Sequence, residues 1–222
     1  MPEPAAVAFA GFTTAALDFY EDLEDDNTKS FWEANRATYE RECREPMRAL
    51  VAALQPQFGA AKVYRPYRDL RYSLDKTPYK THQGAYVSVA GATGYYVQVD
   101  AAGLRTCAGW YDADAGARSR YREAVDHDRT GAELEQLVTD RTARGFELTG
   151  DTVKTRPRGW AADHPRIELL RHNTLDLGRR YDDPDWLATP AVADQVRADW
   201  LALEPLLRWH VRHVRTTEPT GR

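Results

Sequence analysis

The chain reads as an α+β protein, a single domain in which an antiparallel meander sheet is covered by helices. Three observations lead there. Ala85-Tyr-Val-Ser-Val-Ala90, Tyr95-Tyr-Val-Gln-Val99 and Leu104-Arg-Thr-Cys-Ala108 are short alternating runs, as expected of strands with one buried face. Gly91-Ala-Thr-Gly94 and Asp100-Ala-Ala-Gly103 separate them with turn chemistry, so they form a meander. Segments with apolar residues every three or four positions flank this block instead of alternating with it, which argues against a parallel βαβ series.

A length of 222 residues suits one domain over 9–214, with residues 1–8 and 215–222 as flexible ends. Hydrophobic content of 42% and charged content of 29% describe a soluble globule. No apolar run approaches the roughly 20 residues that cross a bilayer, so no membrane association is expected. The opening Met1-Pro-Glu-Pro-Ala-Ala-Val-Ala-Phe-Ala has neither the basic region nor the apolar core of a secretory signal, so the cytoplasm is the expected compartment. Cys43 and Cys107 are far apart and in no metal-ligand spacing, which makes them small core residues rather than a disulfide or a thiolate metal site. Arg outnumbers Lys 25 to 5, a bias that GC-rich bacterial coding imposes on any protein, so Arg counts alone carry no functional argument.

Taken in order, Thr13 or Thr14 caps a first helix through Leu17, Phe19, Tyr20 and Leu23. The acidic run from Glu21 to Asp26 ends it, because acid at a helix C-terminus opposes the macrodipole. Asn27 or Thr28 caps a longer helix carrying Phe31, Asn35, Tyr39, Cys43, Met47, Leu50 and Leu54 at intervals of three or four, with Pro46 kinking or restarting it. Tyr67 to Tyr72 reads as a strand and Asp75-Lys-Thr-Pro78 as a turn. Beyond the meander, Asp112 or Asp114 opens a helix through Tyr121 and Val125, and Thr130 with Glu133 makes a capping box for another through Leu134, Leu137 and Val138. Phe146-Glu-Leu148 and Thr152-Val-Lys154 flank Gly150-Asp151 as a second hairpin, and Asp163 precedes a helical turn with Ile167, Leu169 and Leu170. From about Pro190 a last long helix carries Val192, Val196, Trp200, Leu203, Leu206, Leu207, Val211 and Val214, bent by Pro205.

Chemistry concentrates in one stretch. From Lys62 to His82 there are six Lys or Arg against two Asp, a local balance of +4 in a chain whose total is −4. Two readings compete. In the first, Arg68, Arg71, Lys76 and Lys80 hold an anionic group (phosphate, sulfate or carboxylate), Tyr72 and Tyr79 form ring walls, and Asp69 and Asp75 orient the cations. In the second, Asp69 pairs with Arg71, and Asp75 with Lys76 or Lys80, so that the stretch is architecture. Exposed ion pairs contribute little stability, which favours the first.

Trp110, Lys154, Arg156 and His164 are secondary candidates, His164 because the carboxylate of Asp163 could fix its tautomer. His210-x-x-His213 has metal-ligand spacing, but the sequence supplies no companion ligand, so a solvated pair is the expectation and no metal is assigned. No Gly-x-Ser-x-Gly elbow, Walker loop, dinucleotide fingerprint or His-Glu-x-x-His occurs, and no cofactor is expected. A pI near 5.9, with the basic excess confined to one segment, argues against nucleic acid. The function expected is an enzyme or small-molecule-binding protein with an anion pocket around 68–82. The alternative is a non-catalytic subunit that binds and positions a protein partner.

The sequence resembles the widespread, mostly bacterial domain-of-unknown-function family 2461 over roughly Phe9 to Val214. The likeness rests on Phe9-Ala-Gly-Phe12, on Asn27-Thr-Lys-Ser-Phe-Trp-Glu-Ala-Asn-Arg36 with Tyr39 and Pro46, and above all on Tyr67-Arg-Asp-Leu-Arg-Tyr-Ser-Leu-Asp-Lys-Thr-Pro-Tyr-Lys80. Ala108-Gly-Trp110, Lys154-Thr-Arg-Pro-Arg-Gly159, Asp163-His-Pro165 and Leu203-Glu-Pro-Leu206 are similar to its later segments. The resemblance implies no catalytic residue, cofactor or partner.

Overall fold

A computed structural model describes residues 8–69, 71 and 75–214. The expected α+β architecture is present, built on a six-stranded antiparallel sheet of order β1-β2-β3-β4-β6-β5. Its strands are β1 (Ala61–Val63), β2 (His82–Ala90), β3 (Thr93–Asp100), β4 (Gly103–Trp110), β5 (Glu147–Thr149) and β6 (Leu175–Asp182). The helices are α1 (Thr14–Asp25), α2 (Lys29–Thr38), α3 (Glu45–Phe58), α4 (Ala115–Asp126), α5 (Asp128–Thr142), α6 (Ile167–Leu170) and α7 (Ala191–His213). Among the described residues, no helix is long and apolar enough to cross a membrane.

The chain forms two compact units. The first is drawn from Met1–Val87, Tyr96–Thr106 and Arg180–Asp199. In it the Thr28 hydroxyl accepts from the Phe31 N–H at 3.3 Å to cap α2. A π-helical stretch, Tyr39–Arg44, then joins α2 to α3 without a break in the helix, and Pro46, which has no N–H to give, stands where the π-helical stretch passes into α3. The stretch buries Tyr39 and Cys43, and the Tyr39 hydroxyl donates to Gln83 Oε1 of β2 at 2.6 Å. Gln83, Ala85 and Val87 therefore line the helix-facing side of β2, while His82, Gly84 and Tyr86 alternate to the other. On α7, Asp199 is 2% exposed and accepts from Thr106 Oγ1 at 2.6 Å and from the Tyr181 hydroxyl at 2.9 Å.

The second unit comprises Ser88–Tyr95, Cys107–Arg179 and Trp200–Arg222. Asp114 caps α4, its Oδ1 accepting from the Ala117 N–H at 2.7 Å. Trp200 stacks on Tyr95 with centroids 5.1 Å apart, and Trp209 donates to the Thr130 carbonyl at 2.9 Å. These contacts seat the C-terminal part of α7, which runs through Pro205 as a helix.

Four expectations need correction. Tyr67 forms a single antiparallel bridge with Tyr79, and Arg68 and Asp69 belong to no strand; Leu70 and Tyr72 lie outside the described residues. The physical reason is that Pro66 and Pro78 offer only carbonyls, which accept from Lys80 N (2.8 Å) and Arg68 N (3.0 Å), so the ladder cannot extend. The hairpin of 146–148 with 152–154 is absent: β5 pairs with β6, and Thr152 bridges His172. Gly150, at φ +135°, lies so close to the Thr174 carbonyl that a Cβ would sit 2.2 Å from it, which carries the chain along 172–177 instead of back on itself. α5 starts at Asp128, ahead of the expected capping box, with the His127 ring accepting from Arg129 N, while the Thr130 hydroxyl bonds the Ala124 carbonyl. Finally, β1 and β6 join the sheet without having been anticipated.

Candidate functional site

The basic stretch is a loop fastened at its base. Asn27, between α1 and α2, grips the main chain of Tyr79 from both sides, donating to its carbonyl and accepting from its N–H, each at 3.0 Å. The Tyr79 ring is 5% exposed and stacks on Trp32 with centroids 4.4 Å apart and planes at 11°. Tyr79 is therefore an anchor of the loop rather than a wall of an open pocket, and burial pushes its phenol above the ordinary value.

The charges of the loop divide into two sets. Arg68 donates to the Tyr79 carbonyl at 2.8 Å and pairs with Asp75. Asp75 also accepts from Thr77 N at 2.9 Å and Thr77 Oγ1 at 2.8 Å, and these bonds, the backbone one first, hold its carboxyl below the usual range. Arg71 and Asp69 form a two-pronged pair (2.9 and 2.6 Å) in solvent, and Arg71 lowers the Asp69 carboxyl to about 2. The Asp69–Arg71 pairing is the one the architectural reading expects, and Asp75 pairs with Arg68, a partner that reading did not name. Lys76 is exposed, and Tyr72 lies outside the described residues.

Lys62, Arg65 and Lys80 make the second set. Among the described residues, none of the three has a carboxylate within ion-pair distance. Pairing of β1 with β2 sets Lys62 opposite Tyr86, and Tyr64 N bonds the Gly84 carbonyl at 2.9 Å, so Lys62 and Tyr64 share the face of Gly84 and His82. The ammoniums of Lys80 and Lys62 stand 5.0 and 5.6 Å from the Tyr64 ring centroid. Burial, then the neighbouring Arg65, Lys62 and Arg68, push the Lys80 amine below an ordinary lysine. Burial, then Lys80, likewise lower the His82 imidazole.

Beside this cluster the same sheet face carries an ordered polar chain. Gly84 leaves room for the Tyr96 ring: a Cβ there would lie 2.3 Å from the Tyr96 hydroxyl. Tyr96 donates to Gln98 Oε1 at 2.9 Å, and Gln98 Nε2 donates to Asp100 Oδ2 at 2.8 Å. Arg180 closes the chain on Asp100 with bonds of 2.5 and 3.2 Å, and reaches Asp182 at 3.0 Å.

The secondary candidates belong to the second unit. Trp110, 2% exposed, stacks on His210 at 4.0 Å, and His210 Nδ1 bonds Thr93 Oγ1 at 2.8 Å, so His210 is a core residue and not a solvated one. His164 uses both ring nitrogens, Nε2 with Asp126 at 3.0 Å and Nδ1 accepting from Arg166 N at 3.0 Å, and Arg166 bonds the Val125 carbonyl at the end of α4. His164 is thus oriented by Asp126, not by its neighbour Asp163. The Lys154 side chain is exposed while its carbonyl accepts from Arg171, and Arg156 donates to the Trp160 carbonyl at 2.7 Å. No group of His, Cys, Asp and Glu that could hold a metal ion occurs among the described residues.

Sequence reasoning counted Lys62 and Arg65 in the charge balance but missed them as site residues, along with Tyr64, His82, Gly84, Tyr96, Gln98, Asp100 and Arg180. The signal lay in the alternation of β2 and β3, whose polar positions Tyr96, Gln98 and Asp100 share one face.

The profile of a family described as "Conserved hypothetical protein (DUF2461)" matches residues 15–209. Comparison with the curated proteins and with the solved structures gave no match. Since the matched segment takes in both the fastened basic loop and the polar sheet face, the chain belongs to the domain-of-unknown-function family 2461.

Proposed function

We propose that this protein binds a small anionic ligand through Lys62 and Lys80, whose ammoniums approach the Tyr64 ring, with the charges of Arg65 and Arg68 beside Lys80. The observation that carries this reading is the half-buried Lys80, crowded by three further cations with no carboxylate at ion-pair distance from Lys62, Arg65 or Lys80 itself among the described residues. Crowding like charges raises the free energy of the folded state, and an oxyanion seated among them removes that cost. The ligand site so proposed lies at the base of the basic loop, and the exposed Arg71–Asp69 pair at its tip takes no part.

Thermal melts with millimolar phosphate or sulfate test the proposal, because a ligand that binds only the folded state raises the melting point by mass action. The expected result is a rise for the wild type and for Arg71→Ala, and none for the Lys62→Ala, Lys80→Ala double variant. A protein whose melting point no anion moves, and which co-purifies with a stoichiometric protein partner, would overturn this reading in favour of a partner subunit.

A further inference from the structure

We propose that the anion held at this cluster also carries a hydroxyl group, which donates a hydrogen bond to the phenolic oxygen of Tyr96; the ligand is an oxyanion with a neighbouring hydroxyl, as in a polyol phosphate or a hydroxy acid. This rests on the anion reading above. The argument begins at Asp100, whose carboxylate, ion-paired with Arg180, can only accept. Gln98 must therefore turn its amide nitrogen toward Asp100, which leaves its carbonyl oxygen facing Tyr96. Tyr96 accordingly donates its single proton to Gln98, and any ligand group that meets the Tyr96 oxygen must itself be a donor.

Location links this acceptor to the cations. The Tyr96 hydroxyl lies over the bare backbone of Gly84, and the Tyr96 ring is 6.3 Å from the Tyr64 ring, which is also the ring that the Lys80 and Lys62 ammoniums approach. The ligand so inferred spans these two neighbouring rings. An ammonium donor on the ligand would be repelled by Lys62, Arg65 and Lys80, whereas a neutral hydroxyl would not, so the hydroxyl is the donor that fits.

The test is calorimetric titration of the whole protein with two matched pairs, methyl phosphate against glycerol 3-phosphate, and acetate against glycerate. The wild type is expected to bind the hydroxylated member about five- to tenfold more tightly, the effect of one well-placed hydrogen bond. The pair that binds tells whether phosphate or carboxylate is the anionic group. Tyr96→Phe is expected to remove the difference, and Gly84→Ala, which displaces the hydroxyl, to do the same. Equal affinities within a pair in the wild type, or a preference that survives Tyr96→Phe, would overturn the hydroxyl inference and leave the anion reading standing. Failure of all four molecules to bind would overturn the anion reading and this inference with it. Should both variants fail to fold, the wild-type comparison alone decides.

Discussion

Replacing Asp199 by Ala tests whether the first unit is held by its buried carboxylate. Asp199 is 2% exposed and takes hydrogen bonds from the fully buried Thr106 hydroxyl (2.6 Å), the Tyr181 hydroxyl (2.9 Å) and Gln195 Nε2 (3.2 Å). Truncation leaves the Thr106 hydroxyl without its acceptor, which costs about 1–3 kcal/mol for a buried donor. Tyr181 and Gln195 are half-buried and keep their mutual bond of 2.7 Å, so their loss is smaller, on the order of 1 kcal/mol together. A total of about 3 kcal/mol corresponds to a fall in melting point of roughly 6–12 °C for a protein of this size. The assay is denaturant unfolding of wild type, Asp199→Ala, Thr106→Val and the double variant. Removing the hydroxyl as well as the carboxylate takes away the orphaned donor, so the double variant is expected to be more stable than the two single changes added together. A loss below about 1 kcal/mol in Asp199→Ala, or strict additivity in the cycle, would refute the hydrogen-bond account of this helix anchor.

Three further outcomes follow from the charges of the loop. Arg71→Ala is expected to leave the melting point essentially where it is, because both members of its pair stand in solvent; a fall of several degrees would show that the pair is structural. Lys80→Met is expected to raise the melting point at low salt, since it removes a charge crowded by Lys62, Arg65 and Arg68, and added sodium chloride should narrow the gap; a lower melting point at every salt concentration would contradict this. His82 is lowered below its ordinary 6.5, so between that value and its folded-state value the unfolded chain holds the proton that the folded chain lacks, and stability falls as pH drops through that window; the loss should be smaller in His82→Asn, and an unchanged stability profile against pH would refute the assignment.

What the amino-acid sequence makes legible here is local, and what it hides is long-range. The meander was readable because Tyr95, Val97 and Val99 alternate with polar neighbours between glycine-rich turns. β6 was not, because Leu175 and Leu177 begin an alternation that Gly178, Arg179 and Arg180 then obscure. The π-helical stretch was hidden for a related reason: Tyr39, Cys43 and Met47 stand at intervals that an α-helix satisfies equally well. For the candidate site, charge density singled out the stretch but could not say which charges cancel. Asp69 and Arg71 neutralise each other locally, a pairing that adjacency suggests, while Arg68 reaches across the loop to Asp75. Lys62 and Lys80 meet only because β1 pairs with β2 and the loop closes at Pro66 and Pro78. Tyr96 comes to lie over Gly84 through their shared sheet face, a relation that no spacing along the chain records.

The most direct test of the anion site is the titration of Lys80 itself, with and without phosphate, by NMR on protein labelled at lysine. The chain has five lysines, at 29, 62, 76, 80 and 154, so single Lys→Arg replacements assign the signals. In the free protein Lys80 is expected to titrate below an ordinary lysine, and saturating phosphate should raise its pKa, because a bound anion favours the charged amine. A Lys80 signal that titrates like an ordinary lysine and does not respond to phosphate would contradict the account.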